Sequence, residues 1–250
     1  MRGLKIQPGT GSLLYPSGSS VSDSSPIPTT DLYQWLKADA IEGLADGDPV
    51  SSWLDSSGNN KDATQGTGTN QPSYQTNEIN GLPVVRFDGT DNFFTMPSMA
   101  ALTAAEYFIV IRLVQATPDP ANAGLWDIGS DTANPTIFPF VGDGKIYDQF
   151  GTTSRKTTAD PTPSFQSWNI YSVYSAANDW TNFFNGTQLF TTGTNTVGFS
   201  ATPTLGKSGG HGVGDFYLQG DVPEVIGYSA KLSADDRALV LSYLTTKYGL

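Results

Sequence analysis

The chain contains no cysteine, so neither disulfides nor thiolate metal sites are available to it. It has one histidine, His211, which rules out His-rich zinc sites and leaves a histidine-based catalytic triad without support. Charged residues are scarce, at 15%, and cations are the scarcer kind: 13 Lys and Arg against 24 Asp and Glu, a formal net charge of -11. An acidic chain repels phosphate backbones, which argues against nucleic acid as a partner. No run approaches the roughly 20 consecutive apolar residues of a membrane helix, so no membrane partner is expected. Leu13-Leu14 is the only apolar pair before Tyr15, too little for the core of a secretion signal. The expectation is a chain that stays in the cytosol when made, has been processed already, or leaves by another route, for instance as part of a particle.

What is present is aromatic (12%), with Gly (27) and Pro (16) punctuating 250 residues. Low charge with many turn formers suits short strands joined by tight turns, and all-β sandwiches of this length occur as single domains. The organising stretch is 79–96, INGLPVVRFDGTDNFFTM. Val84 to Phe87 is β-branched and aromatic, Asp88-Gly89-Thr90-Asp91 is a turn cluster, and Phe93 to Met96 resumes the apolar pattern. The simplest reading is a hairpin. Tyr107 to Val114 is the strongest strand and is apolar on both faces. Further strands are expected over 125–128, 136–141, 146–150, 168–174, 201–205 and 216–228, with 152–166 a loop. Trp180 to Phe184 and Gln188 to Thr191 flank Asn185-Gly186, the best hairpin dipeptide in the chain. Residues 32–38 fit a short helix or a strand. Only the C-terminus is plainly helical: Ser233 caps, Asp236 follows three residues on, Leu239, Val240, Tyr243 and Leu244 share a face, and Gly249 terminates.

Residues 1–30 differ in kind. They are rich in Gly, Ser and Pro and carry too little apolar surface to offset their ordering entropy alone. They read as an extended or flexible N-terminal arm preceding a domain over 31–250. Leu4, Ile6, Leu13, Leu14 and Tyr15, with Arg2 and Lys5, are the anchors available to such an arm against a neighbouring subunit.

The ordered set of segments Leu36-Lys37-Ala38-Asp39, 50–65 (VSSWLDSSGNNKDATQ), Gln71-Pro72-Ser73-Tyr74, 80–89 (NGLPVVRFDG) and 220–229 (GDVPEVIGYS), closed by the helix to Tyr248-Gly249-Leu250, resembles the concanavalin A-like, LamG-type jelly-roll family. The resemblance covers residues 31 to 250. It implies a two-sheet antiparallel β-sandwich with one C-terminal helix, and it makes 32–38 a strand. Domains of this family occur in secreted bacterial proteins and in phage virion proteins, often as glycan-binding or adhesive modules, with enzymes a minority. Glucanases of this fold use carboxylates spaced as Glu-x-Asp-x-Glu, and retaining hydrolysis needs two carboxyls about 5 Å apart. Glu42, Glu78, Glu106 and Glu224 are the only glutamates, and none begins that pattern.

Gly206-Lys207-Ser208 fails as a phosphate loop, because its first glycine would fall at Ala201 and no helix start follows. The glycine-rich 209–214, His211 included, reads as an exposed loop. For sugar stacking the candidates are Trp180 with Asn178 and Asp179 at a strand end, and Tyr147 with Asp148 near a turn, beside Phe150. Trp35, Trp53, Trp126 and Trp168 are assigned to the core. Asp46 with Asp48, Asp88 with Asp91, and Asp143 with Asp148 group hard oxygens in the manner calcium takes. The same residues make turns without metal, and that reading is preferred; no cofactor is expected, with calcium the one ion the spacing suits.

The function expected is a non-enzymatic phage virion surface protein, a capsid decoration, fibre or adhesin subunit. It would be a homo-oligomer held to other virion subunits by its arm, with a lectin-like domain turned toward host surface glycans. The alternative is a secreted, extracellular bacterial carbohydrate-binding module; a glycoside hydrolase ranks last.

Overall fold

The computed structural model describes residues 26–250, apart from 115–122, Val141, Pro163, 210–211 and Val213. The proposed arm anchors Leu4, Ile6, Leu13, Leu14 and Tyr15, and His211, lie outside the described residues. In chain order the strands are β1 (Leu32–Lys37), β2 (Ser52–Trp53), β3 (Ala63–Thr64), β4 (Ser73–Ile79), β5 (Leu82–Asp88) and β6 (Phe94–Thr95). Next come β7 (Ala105–Leu113), β8 (Trp126–Gly129), β9 (Tyr147–Asp148), β10 (Lys156–Thr157), β11 (Asn169–Ala176) and β12 (Asp179–Phe184). Last are β13 (Thr187–Thr192), β14 (Phe199–Leu205), β15 (Lys207–Gly209), β16 (Asp215–Tyr217), β17 (Gln219–Tyr228) and the helix α1 (Ala234–Tyr248).

The large sheet has eight strands in the order β13-β12-β11-β7-β17-β5-β4, with β1 pairing the second half of β17. The smaller sheet has five, β2-β3-β6-β14-β8. Between them lies the main core, built on Trp53, Phe87, Phe94, Tyr107, Trp126, Phe150, Tyr171 and Trp180. Two small ribbons, β9 with β10 and β15 with β16, complete the chain. The antiparallel β-sandwich with one C-terminal helix is the expected fold.

The outer face of the large sheet is not open. Helix α1 lies on it and makes a second core with Trp35, Val84, Phe108, Val110, Ile170, Ile226 and Tyr228. This explains why β7 is apolar on both faces: Tyr107, Ile109, Ile111 and Leu113 face the sandwich interior, while Phe108 and Val110 belong to the layer under the helix. Ser233 caps the helix by accepting from the Asp236 N–H at 3.0 Å. Asp236 is too short to close the usual capping box and instead takes the Ser233 hydroxyl at 2.7 Å. Gly249 ends the helix in the left-handed conformation, φ 69°. Two buried carboxylates clamp it to the sheet. Glu106 binds Arg237, and Glu224 accepts from Lys247 Nζ at 2.7 Å and the Tyr248 hydroxyl at 2.6 Å.

Three expectations are corrected. The stretch 79–96 is not a hairpin: β5 belongs to the large sheet and β6 to the small one, so the chain crosses the edge of the sandwich at Asp88–Asp91. The Asp88 carboxylate collects the N–H groups of Thr90, Asp91 and Asn92 and holds a turn wider than a two-residue reversal, while pairing with β3 and β14 draws β6 into the small sheet. The strands expected over 136–141 and 146–150 shrink to a single bridge, Ile137 with Tyr147, and to β9. Within the expected loop 152–166, Lys156–Thr157 forms β10. The domain also packs from before the expected boundary at residue 31. Ile27 is 3% exposed in the layer under α1, and the Tyr228 hydroxyl donates to the Pro28 carbonyl at 3.0 Å.

Candidate functional site

The sugar-stacking candidates do not form one site. Trp180 is fully buried: its indole N–H donates to the Phe150 carbonyl at 2.9 Å and its ring lies 6.1 Å from that of Phe190. It sits on the inner face of β12, where side-chain alternation sends it into the core. Asp148 is buried as well. Its Oδ1 accepts from Trp126 Nε1 (3.1 Å), the Phe150 N–H (2.8 Å) and the Thr136 hydroxyl (3.3 Å), and its Oδ2 from the Tyr171 hydroxyl (2.7 Å). Burial raises its pKa above the ordinary aspartate range, against the lowering effect of those donors. Neither residue can touch a surface ligand. Asn178 is a turn residue at φ 57° whose N–H donates to the Asn195 carbonyl at 2.9 Å, and Asp179 pairs with Lys231 at 2.6 Å.

Tyr147, the neighbour of Asp148, points the other way and is half-buried. Its hydroxyl donates to Asp143 Oδ2 at 3.0 Å. The Phe140 ring meets it edge-on at 5.4 Å, and the Arg155 guanidinium sits 4.8 Å from its ring centre. The Arg155 Nη1 donates to the Pro135 carbonyl at 3.0 Å, which holds the guanidinium over the ring. The result is a tyrosine face with a cation, a carboxylate and a second aromatic around it.

A second aromatic station was not anticipated. Lys207 and Tyr217 are cross-strand partners in the β15–β16 ribbon. The Lys207 ammonium lies 5.1 Å from the Phe93 ring centre and 5.6 Å from that of Tyr217, and it pairs with Asp215 at 2.7 Å. Desolvation works against the Lys207 charge, but the Asp215 carboxylate outweighs it and raises the lysine pKa. Phe93 and Tyr217 are both half-buried, with rings 6.5 Å apart. The available sequence signal was the flanks of the glycine-rich 209–214, where alternation puts Lys207, Asp215 and Tyr217 on one face of a ribbon.

The segments that carry the two stations are linked through Thr136 and Ile137. Ser208 faces inward from β15 and its hydroxyl accepts the Thr136 N–H at 2.7 Å; the next residue, Ile137, bridges to Tyr147. Gly124 lets the ribbon lie this close, since a Cβ there would stand 2.1 Å from the Phe216 carbonyl oxygen.

The calcium candidates act as turn caps. Asp46 accepts from the Thr76 N–H and hydroxyl at 2.7 and 3.0 Å, which lowers its pKa. Asp48 accepts from the Ala45 N–H at 2.7 Å. Asp88 holds its three N–H groups, and the Asp91 carboxylate accepts from the Asn92 side-chain amide at 3.5 Å. Among the described residues no three acidic or imidazole groups converge on a point that could hold a metal ion.

No protein-family profile and no curated protein sequence matches the chain. Solved structures do. The sialidase of Trypanosoma rangeli in complex with sialic acid is 13% identical with a TM-score of 0.60, over 88% of this chain and 34% of that one. A structure of botulinum neurotoxin type C, whose cell entry is described as dependent upon interaction with two ganglioside molecules, is 11% identical with a TM-score of 0.58, over 86% of this chain and 51% of that one. The binding domain of botulinum neurotoxin DC in complex with rat synaptotagmin II is 11% identical with a TM-score of 0.57, over 87% and 52%. The chain thus spans about a third to a half of the length of these proteins. At such identities the similarity concerns the fold alone, and the class it defines is an antiparallel β-sandwich.

Proposed function

We propose that this chain is a non-enzymatic, lectin-like carbohydrate-binding domain, with Tyr147 and the Phe93–Tyr217 pair as its stacking faces. The observation that carries the reading is two half-buried aromatic stations, each with a cation held over a ring and a carboxylate beside it. Sugar C–H faces stack on rings, and fixed charges at the rim orient hydroxyl groups. Similarity to a sialidase bound to sialic acid and to a neurotoxin described with gangliosides supports it at the level of fold. The non-catalytic reading is supported by what holds the buried carboxylates: Glu106, Glu224 and Asp221 are committed to Arg237, to Lys247, and to Arg86 and Arg112. Its setting in this proposal is a phage virion surface, where residues 1–25 anchor the domain to other virion subunits; the composition of that segment motivates it. A secreted bacterial module would bind in the same way.

Glycan-array screening followed by titration calorimetry tests the binding. Tyr147→Ala or Tyr217→Ala should weaken a hit at least tenfold while lowering the melting temperature by no more than about 4 °C. Binding indifferent to both substitutions removes this site, and turnover of a glycan panel removes the non-catalytic reading. Deleting residues 1–25 should leave the domain folded and abolish particle association; association that survives the deletion removes the anchoring role.

A further inference from the structure

The large sheet has three exposed flanks, and two are covered. Along β4 the segment before it closes the edge: Gly47 donates to the Tyr74 carbonyl at 2.7 Å, the Tyr74 N–H to the Asp48 carbonyl at 2.8 Å, and the Thr76 N–H to the Asp46 carboxylate. Along β1, the Trp35 N–H is taken by the Asp55 carboxylate at 2.8 Å and its carbonyl by the Ser56 N–H at 2.7 Å. The third edge, β13, pairs with β12 and with nothing else among the described residues. It is bare in another sense. Not one ionisable residue occurs between Asp179 and Lys207, in a chain of net charge -11. Edge strands of soluble proteins are normally blunted by Lys, Pro or a covering segment. In β13, Thr187, Gln188 and Thr191 are exposed, and among the described residues it has no Lys, Pro or covering segment; its one irregularity is a register shift at Leu189 in the ladder with β12.

We propose that β13 is a self-association edge: two copies pair their β13 strands antiparallel about a two-fold axis, so that the large sheet runs from one copy into the next. The partner fitted is a second copy, for a reason of charge. Most faces of this acidic protein repel their own image. The neutral edge does not, and an antiparallel strand is complementary to itself under a two-fold axis. A basic partner would instead be drawn to the acidic surface elsewhere. The axis stands perpendicular to the sheet, so both α1 helices come to lie on the same side. There a groove of about 230 Å³ lined by Phe108, Phe183, Ala238 and Leu241 borders the β12–β13 hairpin and adds apolar surface. Six residues of strand edge form a small contact, so the dimer is concentration-dependent.

Sedimentation velocity over a hundredfold concentration range is the test. The wild-type protein should shift from monomer to dimer. The double variant Gln188→Lys, Thr191→Lys should stay monomeric throughout, while Thr202→Lys, which adds charge to the same neutral stretch but on exposed β14, should dimerise as wild type does. A wild-type protein monomeric at every concentration, or an edge variant that still dimerises, overturns the proposal. Should the double variant not fold, hydrogen exchange on the wild-type protein decides. Amides of 187–192 must gain protection as concentration rises, and concentration-independent exchange overturns the idea equally.

Discussion

Glu106 on β7 and Arg237 on α1 form a buried ion pair beneath the helix, with Nη2 2.8 Å from Oε2. The same carboxylate accepts the Leu232 N–H at 2.9 Å, so it organises the chain just before the helix as well as the helix itself. Burial raises the Glu106 pKa, and Arg237 opposes that shift. Removing the arginine strands the carboxylate. Arg237→Met should destabilise the domain by about 3 kcal/mol, the lower end for a broken buried pair because Arg237 keeps some solvent contact. Glu106→Gln combined with Arg237→Met should recover part of that loss. Urea denaturation reads both; a single variant no worse than the double would show that the pair does not clamp the helix.

The raised pKa of Asp148 predicts a contribution to stability that falls with rising pH. Its folded-state pKa is raised above the ordinary 3.8 by burial, so the folded protein keeps this proton where the unfolded chain has released it. The stabilising contribution is fully present below the unfolded-chain value and is lost as pH rises through the folded one. Asp148→Asn cannot titrate. Its stability relative to wild type should therefore increase between about pH 4 and pH 7. A wild-type-minus-variant difference that stays flat over this range would refute the assignment.

The aromatic residues divide into two groups by consequence. Trp180→Ala removes a fully buried indole and leaves its cavity, at a cost of about 3–5 kcal/mol. Tyr217→Ala removes a half-buried ring and should cost about 1 kcal/mol or less while weakening glycan binding. Thermal melts beside calorimetric titration separate the two. Loss of binding with no loss of stability in Trp180→Ala would restore that residue to the site.

Asp88 is read as a turn cap and not as a metal ligand. Asp88→Ala leaves the N–H groups of Thr90, Asp91 and Asn92 without their acceptor and should cost about 1 kcal/mol, partly relieved by water. Asp88→Asn keeps an acceptor and should cost less. Millimolar calcium should leave the melting temperature of the wild-type protein unchanged; a clear upward shift that Asp88→Asn abolishes would contradict the cap reading.

Local chemistry was legible wherever a few neighbouring residues suffice. Asn185-Gly186 announced a hairpin, and both residues adopt positive φ, 49° and 75°, between β12 and β13. Ser233 and Gly249 bracket the helix because a cap needs only its own turn. Tyr107 to Val114 was legible as a strand covered on both sides. Which side of a strand a residue occupies was not legible where both sides are apolar. Trp180 and Asp148 read as surface candidates because a turn lies near each, yet register and the second sheet send both inward.

The sequence by itself determined the class of fold, the helix with its caps and the turns, because these follow from propensity, alternation and the short reach of side chain to backbone. The neutral interval between Asp179 and Lys207 is likewise a property of sequence alone. Tertiary structure alone decided that 79–96 crosses between two sheets, that Asp148 is a core residue and Tyr147 a surface one, and that Phe93 meets Lys207 and Tyr217. It also decided that of three sheet edges only β13 is left without cover among the described residues. Those outcomes depend on which strands pair, and pairing is settled by contacts between residues far apart in the chain, which no local pattern encodes.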